Sequence, residues 1–408
     1  MKKATLKNYA RLIAVKGANI QKGQPVIIRA SLDQPEFVTM LTDECYKAGA
    51  SRVRVEWDWQ PLEKVTYRRC KTKILSEMAK WEIEKLEHQA TNLPAMIYLE
   101  SEDPDGLKGI DQKKVAEVRQ ARYRIIKPIR DKMENKYQWC IAAVPGEKWA
   151  KKVFPDIRVT AAMKKLWEMI LFTSRADGDD PVRAWNEHNA DLHARCSHLN
   201  ALRFKALHYT SSNGTDLTVG MIPEAQFLGG SDKTVSGIEF NPNIPSEEAF
   251  ISPMKGKAEG TVVATKPLSY QGEMIENFRL VFKEGKVVEL HAEKNEELLR
   301  TMVSMDESAG YLGECALVPE ESPINRSGVT FFNTLFDENA CCHLALGAGF
   351  ENCIEGFEYK TLEECREMGI NDSIIHVDFM IGCADLSIDG IGEDGKTYPI
   401  FRKGTWAF

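Results

Sequence analysis

The stretch that decides the fold of the first half is Pro25-Val-Ile-Ile-Arg-Ala30, residues 35–48 and Ser51-Arg-Val-Arg-Val-Glu-Trp57. The first segment is typical of a short apolar strand, and the second predicts a helix that Gly49 ends. The third alternates polar and apolar residues as a strand does. Two further strand candidates, separated by charged helical sequence, are Pro94-Ala-Met-Ile-Tyr-Leu99 and Trp139-Cys-Ile-Ala-Ala-Val144. This alternation predicts an α/β domain with a layered, largely parallel sheet.

A long helix follows, for which Asp180 is the predicted N-cap and Pro181 the first helical residue. After about residue 205 the pattern becomes β-rich, and Asn213-Gly214 is a strong signal for a hairpin turn. We therefore predict two domains, an α/β N-terminal domain at residues 1–204 and a β-rich α+β domain at residues 205–408.

Composition excludes several classes of partner. A chain of 408 residues is long enough for two sizeable cores. Its formal net charge of −7 argues against nucleic acid or an anionic membrane as a partner. No apolar run approaches the ~20 residues that cross a bilayer, and the N-terminus has no signal-peptide core. Ten scattered cysteines without a Cys-x-x-Cys pair indicate a reducing compartment, so we expect a cytoplasmic protein.

The most informative polar residues lie in the apolar run Ile374-Ile-His-Val-Asp-Phe-Met-Ile381. On a strand, His376 and Asp378 project from one face, while Val377 and Phe379 project from the other. Burying the imidazole and the carboxylate without a partner would be costly. A divalent metal removes that cost, and so does a His–Asp hydrogen bond inside a core; both interpretations stay open at this point.

Upstream segments offer more ligand-type residues. Glu314 and His343 are embedded in apolar sequence, and Glu247-Glu248 stands in Asn243-Ile-Pro-Ser-Glu-Glu-Ala-Phe250. Mixed imidazole and carboxylate ligands suit zinc, cobalt or manganese. Three carboxylates and two imidazoles exceed the needs of one tetrahedral hydrolytic zinc, but they fit two metal ions that share a bridge.

Several blocks follow one another in order along the C-terminal half. They are Gly214-Thr-Asp-Leu-Thr-Val-Gly220, Asn243-Ile-Pro-Ser-Glu-Glu248, Leu312-Gly-Glu-Cys-Ala-Leu-Val-Pro319, Asn333-Thr-Leu-Phe-Asp-Glu-Asn339, His343-Leu-Ala-Leu-Gly347 and His376-Val-Asp-Phe-Met-Ile-Gly382. Together they resemble the aminopeptidase T / aminopeptidase S family of dinuclear metallopeptidases. The resemblance implies a homodimeric, metal-dependent aminopeptidase that releases N-terminal residues from peptides. It also implies that the second domain is the metal-binding, catalytic one.

Carried over by position, the resemblance places the ligands of two divalent metal ions on five residues: Glu248, Glu314, His343, His376 and Asp378. One position departs from the family, which commonly has an active-site tyrosine seven residues after the first ligand histidine. Here that residue is Phe350, which has no hydroxyl group. Tyr359 and Tyr398 are candidate replacements. The alternative is a metal-binding protein of the same family with lost or altered peptidase activity, or with another substrate.

A proton must also reach the leaving amine, and Glu247 is the candidate general base because it neighbours a ligand without being one. The competing interpretation is structural. Pro245-Ser-Glu-Glu248 also has the composition of an ordinary helix start, with Ser246 as the N-cap and two acids in the first turn.

Overall fold

The structure is a computed structural model that describes residues 2–408. Its α-helices are α1 (Lys3–Leu12), α2 (Pro35–Ala48), α3 (Gln60–Arg69), α4 (Thr72–Ser76), α5 (Lys80–Asn92), α6 (Gln112–Arg130), α7 (Glu147–Val153), α8 (Val159–Thr173), α9 (Pro181–Ala201), α10 (Glu296–Val303), α11 (Pro323–Arg326), α12 (Thr334–Asp337) and α13 (Leu362–Glu367). Its strands are β1 (Pro25–Ser31), β2 (Arg52–Asp58), β3 (Ala95–Glu100), β4 (Trp139–Ala143), β5 (Phe204–Thr210), β6 (Asp216–Met221), β7 (Asp232–Lys233), β8 (Glu239–Phe240), β9 (Asn243–Ile244), β10 (Ala249–Ile251), β11 (Pro253–Val263), β12 (Leu268–Tyr270), β13 (Glu273–Lys283), β14 (Lys286–Lys294), β15 (Leu312–Leu317), β16 (His343–Gly347), β17 (His376–Met380), β18 (Ser387–Gly392), β19 (Thr397–Arg402) and β20 (Thr405–Trp406).

The chain divides into two compact units. The first runs up to His188 and includes Ser231–Ser246. The second comprises Asn189–Gly230 and Glu247–Phe408. The predicted boundary between residues 204 and 205 stays a prediction.

The first unit contains a five-stranded parallel sheet in the order β2-β1-β3-β4-β9. The predicted strands and their parallel arrangement are therefore confirmed, and the two-residue β9 is an addition that the sequence does not predict. Helix α2 has the predicted bounds. It ends because Gly49 adopts a left-handed φ of +116° and donates its N–H to the carbonyl of Tyr46.

The second unit is β-rich, as predicted, and contains two antiparallel sheets. The larger has nine strands in the order β12-β13-β11-β6-β5-β18-β19-β20, with β14 paired to β13. Its β5–β6 hairpin turns at the predicted glycine, since Gly214 has a φ of +103°. The smaller sheet has the order β10-β15-β16-β17.

One face of the four-stranded sheet belongs to the apolar core of this unit. Cys315, Leu344 and Phe379 stand opposite one another on three neighbouring strands, and all three are buried. They share one core with Leu207 and Leu217 of the nine-stranded sheet. Packing on this face leaves the other face of the small sheet to carry polar side chains.

All ten cysteines are free thiols. Cys341 and Cys342 are buried, as small apolar residues commonly are. Among residues 2–408, no helix has both the length and the apolar character that a transmembrane span requires.

Candidate metal centre

The polar face of the four-stranded sheet carries four of the five predicted ligands, and Glu248 immediately precedes β10. Glu314 stands opposite Ala345, and Ala345 stands opposite Asp378. Directly opposed residues share a face, so both carboxylates flank the small alanine methyl group. His343 precedes Ala345 by two residues and His376 precedes Asp378 by two, which puts both imidazoles on this face as well.

A β-bulge gives Glu314 this direction. The register between β15 and β16 shifts between Leu312 and Glu314, which inserts Gly313 as an extra residue. Without the insertion, Glu314 would point into the apolar core. Gly313 is required here because a β-carbon would lie 2.1 Å from the carbonyl oxygen of Ala348. The sequence shows the glycine but not the register shift.

The donor atoms of the five predicted ligands converge. His343 Nε2 lies 3.3 Å from Glu248 Oε2. His376 Nε2 lies 3.1 Å from Glu314 Oε2 and 3.3 Å from Asp378 Oδ1. The atoms form two overlapping groups, each within 4.8 Å: Glu248, Glu314 and His343, and Glu314, His376 and Asp378. Glu314 belongs to both groups.

Backbone carbonyls fix the orientation of both imidazoles. Nδ1 of His376 lies 2.7 Å from the carbonyl oxygen of Ala348, and Nδ1 of His343 lies 3.3 Å from that of Cys341. A carbonyl oxygen only accepts hydrogen bonds, so Nδ1 carries the proton in each ring. Both rings therefore turn Nε2 toward the carboxylates, the arrangement that orients a ligating histidine.

Burial and mutual charge perturb the titration of these groups. Burial raises the pKa of Glu314, although its hydrogen bond to His376 opposes the rise. Burial lowers the pKa of His343, but the hydrogen bond to Glu248 and the surrounding carboxylates outweigh this and raise it to about 9. Burial also raises the pKa of Asp378, yet the charge of His376 dominates in sum and leaves it lowered. Without a metal ion, these charges favour protonated imidazoles beside the carboxylates.

Sequence reasoning missed one carboxylate at this site. Glu338 follows α12 and hydrogen-bonds with Asp378. Burial, followed by the charge of Asp378 and of the other site carboxylates, raises its pKa well above the usual range. Glu338 belongs to the block 333–339 that carries the family resemblance. Nothing in the composition or spacing of that block marks Glu338 as a site residue.

Glu247 is placed differently from its neighbour Glu248. Neither group of convergent donor atoms includes it, although it is buried. Its backbone N–H donates to Oδ1 of Asn339 at 2.7 Å. The interpretation of residues 245–248 as a helix start is wrong, because this segment leads directly from β9 into β10 without a helical turn.

Phe350 borders the site through aromatic contacts. Its ring centroid lies 4.9 Å from that of His376 and 5.4 Å from that of Phe250. Neither candidate replacement for the missing hydroxyl is suitably placed. Tyr359 is 88% exposed, whereas the cluster is largely buried, and Tyr398 donates its hydroxyl to Asp394, beyond the end of β18.

The donor set fits divalent metal ions. Three buried carboxylates converge here, those of Glu248, Glu314 and Asp378. Burying several carboxylates together is costly unless cations lie beside them. Carboxylate oxygens and imidazole nitrogens, without a thiolate among the five, match the ligand preferences of zinc, cobalt and manganese.

Comparisons with known proteins identify the family of this chain. The sequence model of the family described as "Thermophilic metalloprotease (M29)" matches residues 2–406. Aminopeptidase AmpS of Bacillus subtilis is 43% identical over 404 residues, which cover 99% of this chain and 98% of that protein. Aminopeptidase T of Thermus thermophilus is 38% identical over 405 residues, with coverage of 99% and 98%. The solved structure "Wild-type AmpT from Thermus thermophilus" superposes with a TM-score of 0.90 at 36% identity and covers 100% of both chains.

Proposed function

Because the chain belongs to the thermophilic metalloprotease (M29) family and its named relatives are aminopeptidases, we infer that it is a metal-dependent aminopeptidase, and we propose that two divalent metal ions serve the reaction. The observation that carries the proposal is the pair of donor groups that share Glu314. One carboxylate common to two three-ligand groups is the arrangement expected of a bridged metal pair.

In this proposal Glu248, Glu314 and His343 would hold one ion, and Glu314, His376 and Asp378 would hold the other. Bound cations of this kind supply an activated water at neutral pH and polarise the substrate carbonyl group. The carbonyls of Ala348 and Cys341 keep the imidazoles in the orientation that ligation needs.

A carboxylate outside the ligand set must move the proton to the leaving amine. Glu247 stays our candidate from the sequence, and the hydrogen bond of Glu338 with Asp378 makes Glu338 the competing candidate. Glu247→Gln and Glu338→Gln separate them. The variant that lacks the true base should still bind both metal ions but have a greatly reduced kcat. The other variant should keep kcat within a few fold of the wild type.

Three further properties belong to the same proposal. The substrates are peptides with a free N-terminus, as the names of the relatives indicate. The chain forms a homodimer, which the family resemblance implies. Free thiols at all ten cysteines fit a reducing, cytoplasmic location.

The decisive experiment purifies the protein without chelator, counts metal ions per chain, and assays a panel of aminoacyl chromogenic amides with zinc, cobalt and manganese. About two metal ions per chain and release of N-terminal residues support the proposal. Absence of bound metal overturns it. The matched variants are Glu314→Gln, which removes the shared ligand, and Glu289→Gln on the exposed face of β14, which serves as the control.

The absence of a hydroxyl at Phe350 favours one second candidate, a metal-binding protein of this family without peptidase activity. Two bound metal ions with no turnover of any amide would select this candidate over the first.

A further inference from the structure

Strand β2 is an open edge of the parallel sheet in the first unit. It stands at the end of the strand order and pairs only with β1 within residues 2–408. On its outer side the N–H of Val53 donates to the hydroxyl of Tyr46. Backbone groups alternate in direction along a strand, so those of Val55 and Trp57 also point away from β1. An edge of this kind is a template for pairing with another strand.

One face of β2 carries charges whose order is its own complement when the strand is reversed. Two cations are followed by two anions at alternate positions: Arg52, Arg54, Glu56 and Asp58. Arg52, Arg54 and Asp58 are exposed and form no ion pair within residues 2–408. Only Glu56 is compensated by its own chain, through Arg29 and Lys85.

Antiparallel pairing of β2 with a second copy places each of these charges opposite a counter-charge. The two-fold axis then passes between Val55 and the partner's Val55. In this register Arg52 stands opposite the partner's Asp58, and Arg54 stands opposite the partner's Glu56. A shift by two residues brings either Arg54 or Glu56 opposite its own copy, which is repulsive. Charge therefore selects one register.

The backbone permits this same register. Residues that stand opposite each other in an antiparallel pair must both point toward the partner or both point away. Val55 faces its own copy and Val53 faces the partner's Trp57, and all of these point outward. A shift by one residue would oppose outward groups to inward ones, so it is excluded.

Apolar side chains enlarge the contact. Trp57 is 45% exposed, and Trp59 and Leu62, which follow the strand, are 48% and 60% exposed. An aromatic side chain buries about 150–250 Å² when it is covered. These residues supply area toward the roughly 800 Å² per partner of a stable interface, which two seven-residue strands alone would not reach.

We propose that the open edge of β2 is the interface between two copies of this chain, joining their two parallel sheets into one continuous sheet. The N–H of Val55 donates to the carbonyl of the partner's Val55, and the N–H of Trp57 donates to that of the partner's Val53. Tyr46 keeps the N–H of Val53. The inference rests on the homodimer of the proposed function and names its interface. It does not depend on the metal ligands, which lie in the second unit.

The test is a charge exchange in the full-length protein, with the dissociation constant of the dimer measured by sedimentation equilibrium. Arg52→Asp and Asp58→Arg each place like charges opposite each other twice per dimer, so each should raise this constant at least about tenfold. The double variant restores opposite charges and should return to within about threefold of the wild type. Arg158→Asp, an exposed residue before α8, is the matched control and should change nothing.

A cross-link tests the register independently. The Cα atoms of a hydrogen-bonded antiparallel pair lie about 5.5 Å apart, within the range of a disulfide. Val55→Cys should therefore form an intermolecular disulfide on mild oxidation. Val53→Cys should not, because it stands opposite the partner's Trp57. The wild type controls for Cys70 and Cys383, which are only partly buried.

Weaker dimers in both single variants, restoration in the double variant and a cross-link at position 55 alone support the interface. Unchanged dimers in both single variants overturn it and leave the homodimer itself standing. A double variant that stays dissociated overturns the self-pairing register. A wild type that is monomeric at about 100 μM overturns both the interface and the homodimer, while the metal count per chain tests the peptidase proposal separately. Circular dichroism of each variant checks the fold, since Arg52 and Asp58 are exposed.

Discussion

The carbonyl oxygen of Ala348 accepts a hydrogen bond of 2.7 Å from Nδ1 of His376. The same oxygen closes the space in which a side chain on Gly313 would lie. One backbone group therefore connects the orientation of an imidazole on β17 with the bulge that directs Glu314 on β15. His376 and Glu314 are therefore coupled through the backbone carbonyl of Ala348 as well as through their own side chains.

Gly313→Ala should disturb this connection. The added methyl group must displace the carbonyl of Ala348 or remove the bulge, and overpacking of this kind costs about 1–3 kcal/mol. We expect a lower free energy of unfolding together with weaker metal binding, measured by denaturant unfolding and by metal titration. Gly178→Ala is the matched control, because a β-carbon there meets no atom within 4 Å. Wild-type metal affinity in Gly313→Ala would contradict the coupling.

His376→Gln should remove one metal ion and spare the other. His376 contributes only to the group with Glu314 and Asp378, so the group of Glu248, Glu314 and His343 stays intact. We expect about one tightly bound ion per chain, an affinity for the second that is more than about 100-fold weaker, and loss of peptidase activity. Atomic absorption after dialysis measures the number of metal ions per chain.

The control for this variant is His291→Gln, an exposed histidine of β14 that hydrogen-bonds with Glu296. It should retain two ions and full activity. Retention of full activity in His376→Gln would remove this residue from the ligand set.

Metal binding should strengthen as the pH rises. Burial lowers the pKa of His343, but Glu248 and nearby carboxylates raise it from 6.5 to about 9 in the metal-free protein. Below that pH a metal ion must displace the proton, so affinity should rise about tenfold per pH unit for each proton released. Calorimetric titration in two buffers of different ionisation enthalpy counts the protons. Equal affinity at pH 7 and at pH 9 would contradict this assignment.

The same shift affects the stability of the metal-free protein. A histidine whose pKa is raised on folding stabilises the folded state most at a pH below 6.5, the pKa of the histidine in the unfolded chain. The contribution is lost as the pH rises through about 9. Metal-free protein should therefore have a lower Tm at pH 9 than at pH 6.5, and His343→Gln should reduce this difference.

The sequence predicts regular elements well because their signals are local. The bounds of α2 follow from an apolar face and from Gly49, and the parallel strands follow from short apolar runs separated by helices. The two-residue β9 has no such signal, since its pairing with β4 depends on tertiary contacts.

At the site, strand periodicity places His376 and Asp378 on one face. Apolar sequence context marks Glu314 and His343 as candidates, and the resemblance selects Glu248 over Glu247. Neither source gives the bulge at Gly313, because register depends on the partner strand. Glu338 was missed for a related reason: only the folded chain brings a carboxylate after α12 against Asp378 on β17.

Asn339→Ala tests how the segment before β10 is held. The side chain of Asn339 is fully buried, accepts a hydrogen bond from the N–H of Glu247, and donates to the carbonyl of Leu335. Its removal leaves buried backbone groups unsatisfied, which costs about 1–3 kcal/mol. We expect reduced stability and weaker binding of the ion held by Glu248, both read from a thermal melt with and without added metal. Asn186→Ala, exposed on α9, should change neither.

Phe350→Tyr tests whether the missing hydroxyl limits activity. Phe350 packs beside His376 and Phe250, so a tyrosine ring can make the same contacts and adds a hydroxyl group next to a predicted ligand. A donor that reaches the developing oxyanion lowers the barrier, and we expect kcat to rise about tenfold or more with KM little changed. Steady-state kinetics on one aminoacyl amide, at equal metal content, measures the effect.

Phe350→Leu is the companion variant for this test. It removes the ring contacts without adding a donor, so it should lower kcat through looser packing of His376. If Phe350→Tyr leaves kcat unchanged while Phe350→Leu lowers it, the aromatic ring positions the imidazole, and a hydroxyl at this position is dispensable in this chain.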